Sequence, residues 1–202
     1  MIIHAMKQRS PEWDKIHLGK ITSTSFTPLA NGKHDTVREL CMKTALERIY
    51  RVTAKNSFSN KAMLHGINTE PAARGMYEWE SNVIVQEVGF IEYSDYFGCS
   101  PDGLIDDDGG LEIKCPIEDT HKKYLEKDDA WKAYKWQIQS SLYMSERKWW
   151  DFVSYCPPLP MIIQRVTPDD ECFDKIKDGM ELCQKWIRNI VLAWANEEGR
   201  RK

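Results

Sequence analysis

The sequence predicts a mixed α/β protein in which a central mixed sheet is flanked by helices, and three observations carry this. The first third has apolar residues at helical spacing, the middle holds short β-prone runs, and the last third alternates helix, helix, strand, strand and a long closing helix. Ser10-Pro11-Glu12 offers an N-cap, a first-turn proline and an early acid, so a short helix starts there, runs to about His17 and closes near Gly19. From Asp35 to Arg51, Val37, Leu40, Cys41, Ala45, Ile49 and Tyr50 recur with a 3.6-residue rhythm, and another helix is predicted from about Lys61 to Ser81. Val83-Ile84-Val85 and Gly89-Phe90-Ile91 are β-prone. Cys99 to Ile117 contains two apolar runs around "DDDGG", a hairpin with its turn at Asp107-Asp108-Gly109-Gly110. Helices near Asp119 to Lys127 and Ala130 to Ser145 precede strands at Trp149 to Tyr155 and Met161 to Val166. Pro168 and Asp169 open the last helix, which reaches about Asn196.

A chain of 202 residues is long enough for one fully cored domain and short for two, and no linker or repeat divides it, so residues 1–202 read as a single unit. The 42% hydrophobic and 29% charged content excludes global disorder. No apolar run approaches the roughly 18 residues of a membrane span, and the start "MIIHAMKQRS" is too short in apolar residues for a secretory signal, so a cytoplasmic protein is expected. The six cysteines form no CxxC pair and have no zinc-ligand spacing with histidine, which leaves reduced core thiols. A net charge of −3 argues mildly against nucleic-acid binding, yet a metal-dependent nuclease needs clustered carboxylates and only one basic groove.

The informative segment is "SPDGLIDDDGGLEIKCP". Glu112 and Lys114 stand two apart on a predicted strand and share a face, while Leu111, Ile113 and Cys115 point into packing. The hairpin returns the chain so that Asp102 lies beside them. Two carboxylates and an ammonium suit Mg²⁺ or Mn²⁺ rather than zinc, and a lysine beside such an ion orients or deprotonates a water. An exposed Glu-x-Lys strand with an Asp in a turn is also a common solvated arrangement. The dense frame of Ser100, Pro101 and Gly103 around Asp102, with Cys115-Pro116 after Lys114, favours the chemical reading.

This frame closely resembles the metal-binding core of the phage lambda exonuclease and YqaJ-type viral recombinase nucleases, within the PD-(D/E)xK superfamily. "EWDKIHLGKITSTSF", "MLHGINTEPAARGMYE" and "AYKWQIQSSLYM" resemble the family's other ordered motifs, so the likeness spans most of the chain. It implies a restriction-endonuclease-like fold in which Asp102, Glu112 and the Ile113 backbone carbonyl ligate metal. Lys114 is then the base or water-orienting group, Glu70 serves a second ion or its waters, and Gln137 helps place the attacking water. Without the likeness, Glu70 reads as an ordinary helix N-terminal acid before Pro71, and Gln137 as a surface residue.

The resemblance further implies two Mg²⁺ ions, with Mn²⁺ able to substitute, and a 5′-phosphate pocket drawing on Thr22, Thr24, Ser100, His17, Thr120 and His121. His17 and the Thr120-His121 pair stand where the family would have arginines, and His17 reads equally well as a half-buried helix histidine. Met63 and Leu64 form either an apolar wedge that separates the terminal base pair or part of the core. Lys20, Lys33, Lys122, Lys123, Lys132 and Lys135 are candidates for backbone phosphate contact.

The implied activity is 5′→3′ digestion of linear double-stranded DNA to 5′-mononucleotides, leaving a 3′ overhang. The implied assembly is a homotrimeric ring working with a phage-type single-strand annealing protein in recombination. Trp131, Trp136, Trp149, Trp150, Trp186 and Trp194 supply the core and offer aromatics for such an interface. An endonuclease with the same core, or a catalytically idle DNA-binding scaffold, are the alternatives.

Overall fold

The structure, a computed structural model, describes residues 1–32, 34–52 and 61–200. Strand β1 (Ile2–His4) leads to α1 (Pro11–His17), whose start is capped as expected: the Ser10 hydroxyl accepts from the Trp13 N–H and Pro11 sits where no donor is needed. Gly19 closes it at φ +70°, against the Arg48 side chain, where a Cβ would not fit. Strand β2 (Ile21–Thr22), a 3₁₀ turn at Ser23–Ser25 and α2 (Phe26–Ala30) then precede α3 (His34–Tyr50) and α4 (Lys61–Ser81).

Next come β3 (Phe90–Glu92), β4 (Phe97–Cys99), β5 (Gly103–Ile105), β6 (Gly109–Lys114) and α5 (Glu118–Leu125). A 3₁₀ segment at Ala130–Tyr134 leads into α6 (Lys135–Ser145), followed by β7 (Trp149–Ser154), β8 (Ile162–Val166) and α7 (Asp170–Arg200).

The strands make two mixed four-stranded sheets, in the orders β1-β3-β4-β2 and β5-β6-β7-β8, and not the one central sheet expected. Gln86, in the segment before β3, bridges to Leu104 of β5, the two exchanging backbone hydrogen bonds of 2.8 and 2.9 Å. Val83-Ile84-Val85 forms no strand. Val85 is buried against Gly103 and Val83 packs at the edge of the same cluster, while Ile84 is exposed.

The hairpin also turns one step earlier than expected. Asp106, at φ +45°, takes the turn, and Gly109 and Gly110 lie within β6. Their role is room, since the rings of Trp149 and Trp150 on the parallel neighbour β7 occupy the space of their missing side chains. Arg147 clamps this corner, its Nη1 donating to the carbonyls of Ile105, Asp106 and Gly109 at 3.2, 2.8 and 2.7 Å.

Both faces of β6 and β7 are covered, as is usual for parallel neighbours. On one face Leu111, Ile113 and Val153 pack with Ala73 and Tyr77 of α4; on the other Trp150 and Phe152 pack with Ile138 and Leu142 of α6. A further cluster joins α2, α3 and α7 over β3 and β4, with Cys172, Ile176, Met180, Cys183 and Ile187 forming the apolar stripe of α7.

Buried Asp151 accepts from Tyr77 Oη at 2.7 Å and from both Arg165 Nε (2.8 Å) and Nη2 (2.9 Å), linking α4, β7 and β8. Five of the tryptophans proposed for an interface are packed in or against the core clusters, while Trp194 makes an edge contact with Tyr50. The indole left 79% exposed is Trp79. All six cysteines are free thiols, and among the described residues no helix is long and apolar enough to cross a membrane.

Candidate active site

The β5–β6 hairpin assembles the centre by main-chain hydrogen bonding. Asp102, just before β5, donates its N–H to the Leu111 carbonyl at 3.1 Å, and its Oδ2 accepts from the Ile113 N–H at 2.7 Å. Lys114 O, in contrast, accepts from Tyr155 N at 2.9 Å on the β7 side. Alternation along the strand therefore directs the Ile113 carbonyl to the Asp102 side.

Glu112 is 3% exposed, and its Oε1 accepts from both Lys114 Nζ and Gln137 Nε2, the latter at 2.6 Å. Gln137 on α6 is thus tied to Glu112 of β6 rather than left as a surface residue. The Lys114 ammonium also lies over the Tyr134 ring, 4.8 Å from its centroid.

Glu70 comes from the middle of α4, which excludes the helix-start reading. Pro71 lacks the N–H that would bond the Ile67 carbonyl, so the helical ladder is interrupted beside it. Glu70 Oε1 is held by Arg74 Nη2 at 2.9 Å, and Arg74 Nη1 reaches Glu87 at 2.9 Å. The i,i+4 spacing of Glu70 and Arg74 was the signal for this pair, and the sequence reading missed it.

The carboxylates feel one another. Burial and then the Glu112 charge push the Asp102 carboxyl well above its ordinary pKa, with Glu70 adding to the rise and Lys114 opposing it. The Cys115 thiol is pushed up to about 12 by burial and then by the charges of Glu70 and Asp102. Lys114 is raised: burial opposes its charge, and Glu112 and Asp102 outweigh that.

Among the described residues no three His, Cys, Asp or Glu side chains are already gathered as a metal cluster. The donor chemistry nevertheless fits a hard divalent cation. Among the described residues, Asp102 and Glu112 each use one oxygen on protein donors and leave the other without a hydrogen bond, and their mutual repulsion is only partly balanced by Lys114.

Two cavities, of about 670 and 260 Å³, share Arg9, Ile67, Glu70 and Asp102 in their walls. The smaller extends to Ile113, Lys114 and Cys115 and has Met63 at its edge. Met63 and Leu64 are 51% and 49% exposed, so neither is core.

The predicted phosphate pocket is brought together in part. Thr22, Thr24 and His17 line a cavity of about 400 Å³ with Lys20 and Lys43, and the Thr22 and Thr24 hydroxyls lie 3.1 Å apart. Ser100 Oγ accepts from Trp13 Nε1 at 3.0 Å and lies 3.4 Å from His17 Nε2. His17 packs between Trp13 and Phe90, and burial lowers its pKa to about 4, against the pull of Asp14, so it carries no charge near pH 6.5.

His121 does not join this pocket. It is fully buried on α5, bonded to Ser154 Oγ at 2.8 Å and the Pro160 carbonyl at 2.9 Å, and Thr120 lies partly buried next to it. Of the candidate lysines, Lys20, Lys122, Lys132 and Lys135 are paired with Glu92, Glu118, Asp129 and Asp169. Lys123 is exposed, and Lys33 lies outside the described residues.

Residues 12–148 match the family described as the YqaJ-like viral recombinase domain. The crystal structure of an alkaline exonuclease from Laribacter hongkongensis is similar at 29% identity and TM-score 0.85, covering 96% of this chain and 100% of that one. A second structure of that enzyme, in complex with dAMP, matches equally. A phage-related exonuclease from Haemophilus somnus 129PT, at 16% identity, shares the fold with TM-score 0.62 over 95% of this chain and 97% of its own. No curated protein matches the sequence. The expected mixed α/β architecture of nuclease type stands on these likenesses together with the two sheets and their flanking helices.

Proposed function

The chain belongs to the YqaJ-like viral recombinase family, and from that membership we propose that it is a Mg²⁺-dependent 5′→3′ exonuclease of linear double-stranded DNA. The observation that carries the reading is Glu112, a buried carboxylate beside Asp102, gripped by Lys114 and Gln137 on the strand and helix that the nuclease motif predicts. The alkaline exonuclease from Laribacter hongkongensis supports it, and the dAMP bound there is of the product class proposed here.

Asp102, Glu112 and the Ile113 carbonyl are the ligands for the first Mg²⁺, with Glu70 on a second ion or its waters. When bound, such ions supply charge stabilisation for the attacking and leaving oxygens of phosphodiester hydrolysis. Lys114, kept as an ammonium by Glu112, donates to the attacking water and orients it, and Gln137 fixes the Glu112 carboxylate. Water oxygen bonds to phosphorus, its proton passing to solvent, and the P–O3′ bond breaks with the leaving O3′ taking up a proton from solvent. The terminal nucleotide leaves with a 3′-hydroxyl, and the shortened strand carries a new 5′-phosphate. Thr22, Thr24 and Ser100 are the polar groups for the 5′-phosphate, and Met63 with Leu64 is the end-separating wedge.

A homotrimeric ring would draw on exposed apolar residues in two parts of the chain. One is the α3 face of Met42, Leu46 and Tyr50 with Val52, bordering a cavity of about 580 Å³; the other has Met76 and Trp79 of α4 with Ile84. A ring closes head to tail, so each subunit needs two unlike surfaces. A phage-type single-strand annealing protein is the partner that would use the 3′ overhang.

The test is digestion of linear duplexes labelled at one 5′ or 3′ end, with Mg²⁺ or chelator and a closed circular control. Release of 5′-terminal label from linear DNA only, and only with Mg²⁺, is expected. Cutting of closed circles would favour the endonuclease reading, and no cutting at all the scaffold. Light scattering should give three times the subunit mass.

A further inference from the structure

Resting on the exonuclease reading, we propose that Arg9 is a substrate-binding residue whose guanidinium takes a phosphate of the DNA strand in the catalytic cleft. Its backbone is fixed from both sides. On one, Gln8 Nε2 donates to the Pro101 carbonyl at 2.8 Å and the Val88 carbonyl at 3.3 Å, which ties the loop to the residue before Asp102. On the other, Ser10 caps α1 and donates its N–H to the Lys7 carbonyl at 3.3 Å. Between these anchors Arg9 stands at φ +64°, a left-handed conformation that glycine adopts freely and a long side chain does not.

The side chain that this backbone presents is exposed and lines both cavities that meet at Asp102 and Glu70. The other cations in those walls are differently placed. Arg74 is held by Glu70 and Glu87, Lys114 by Glu112, and Lys7 borders the larger cavity alone. Among the described residues the Arg9 guanidinium has no hydrogen-bond or ion-pair partner. A centre rich in carboxylates repels a DNA phosphate unless a cation meets it, and the planar fork of arginine matches two phosphate oxygens. The phosphate oxygens come either from a 5′-terminal monoester or from an internal diester.

The test uses the full chain and its Arg9→Gly and Arg9→Lys variants. Binding to a linear duplex with a 5′-phosphate or a 5′-hydroxyl is followed by anisotropy across a salt series in chelator, with melting temperatures and Mg²⁺-dependent digestion alongside. Arg9→Gly should bind about tenfold more weakly, with the slope of log K against log salt reduced by about 0.9. It should melt no lower than wild type, because glycine relieves the left-handed backbone. Arg9→Lys should keep the salt slope and lose part of the affinity. A loss confined to 5′-phosphorylated ends assigns Arg9 to the terminal phosphate, and an equal loss on both ends to an internal one. Wild-type affinity and slope in Arg9→Gly, or a fall in melting temperature that accompanies the binding loss, would overturn the proposal while wild-type digestion leaves the exonuclease reading intact. If wild type neither binds nor digests linear duplex, both fall.

Discussion

Replacing Asp102 by asparagine should stabilise the metal-free protein while abolishing nuclease activity. The carboxyl's pKa is raised first by burial and then by Glu112 and Glu70, so ionising it costs more in the fold than in the unfolded chain. The amide removes that charge and still accepts the Ile113 N–H, now at 2.7 Å. The losses are the charge assistance of this bond, about 0.5–1 kcal/mol, and the attraction of Lys114. Each unit of pKa elevation relieved returns ~1.4 kcal/mol.

A net gain in stability follows, seen as a rise in melting temperature, each kcal/mol being worth about 2–4 °C for a chain of this size. An acid with a raised folded pKa destabilises above that value and has no effect below its unfolded value, so the difference between the two proteins should be largest at neutral pH and vanish towards about pH 4. Calorimetry in chelator across pH measures this. Added Mg²⁺ should then stabilise wild type more than the variant, since ligand binding raises stability as RT ln(1 + [L]/Kd). A variant that melts below wild type in chelator at neutral pH, or that keeps more than a few per cent of the activity, would refute the reasoning.

Glu112→Ala and Lys114→Ala should each reduce digestion to a few per cent of wild type or less, and Gln137→Leu should lower kcat about 10- to 100-fold through loss of one hydrogen bond to a charged group; end-label release at saturating DNA measures both. The preference for 5′-phosphate over 5′-hydroxyl ends should stay flat between pH 7.5 and about 6, because His17 takes up its proton only as pH falls to about 4; a preference that sharpens in that range would assign the charge to another group. The same lowered pKa means that stability present above about pH 6.5 is lost progressively as pH falls towards about 4, as the unfolded chain takes up the proton first, and His17→Phe should flatten that slope in thermal melts. Arg147→Ala frees three carbonyls at the β5–β6 corner and should cost about 1.5–3 kcal/mol, seen as a lower urea midpoint at unchanged m value.

The element order was legible in the residues because periodicity and capping are local. Ser10-Pro11, the rhythm from Val37 to Tyr50 and the spacing of Glu112 and Lys114 each act within a few positions of themselves. For the same reason the resemblance could name Asp102, Glu112, Lys114, Glu70 and Gln137, and all five form or border the centre around Glu112 and Asp102. What local pattern does not contain is which distant surface a residue meets. Gly109 and Gly110 look like turn residues until the Trp149 and Trp150 rings on β7 occupy their space, and Val85 looks like a strand residue until Gly103 admits it to the core. His17 and His121 are equivalent as sequence symbols, yet burial between Trp13 and Phe90 strips one of its charge near neutral pH and two internal hydrogen bonds keep the other from the cleft. The sequence by itself determined the succession of elements and the chemical groups of the centre. Tertiary structure alone decided burial, charge state and which cations remain free to meet a phosphate, because each depends on desolvation and on neighbours far apart in the chain.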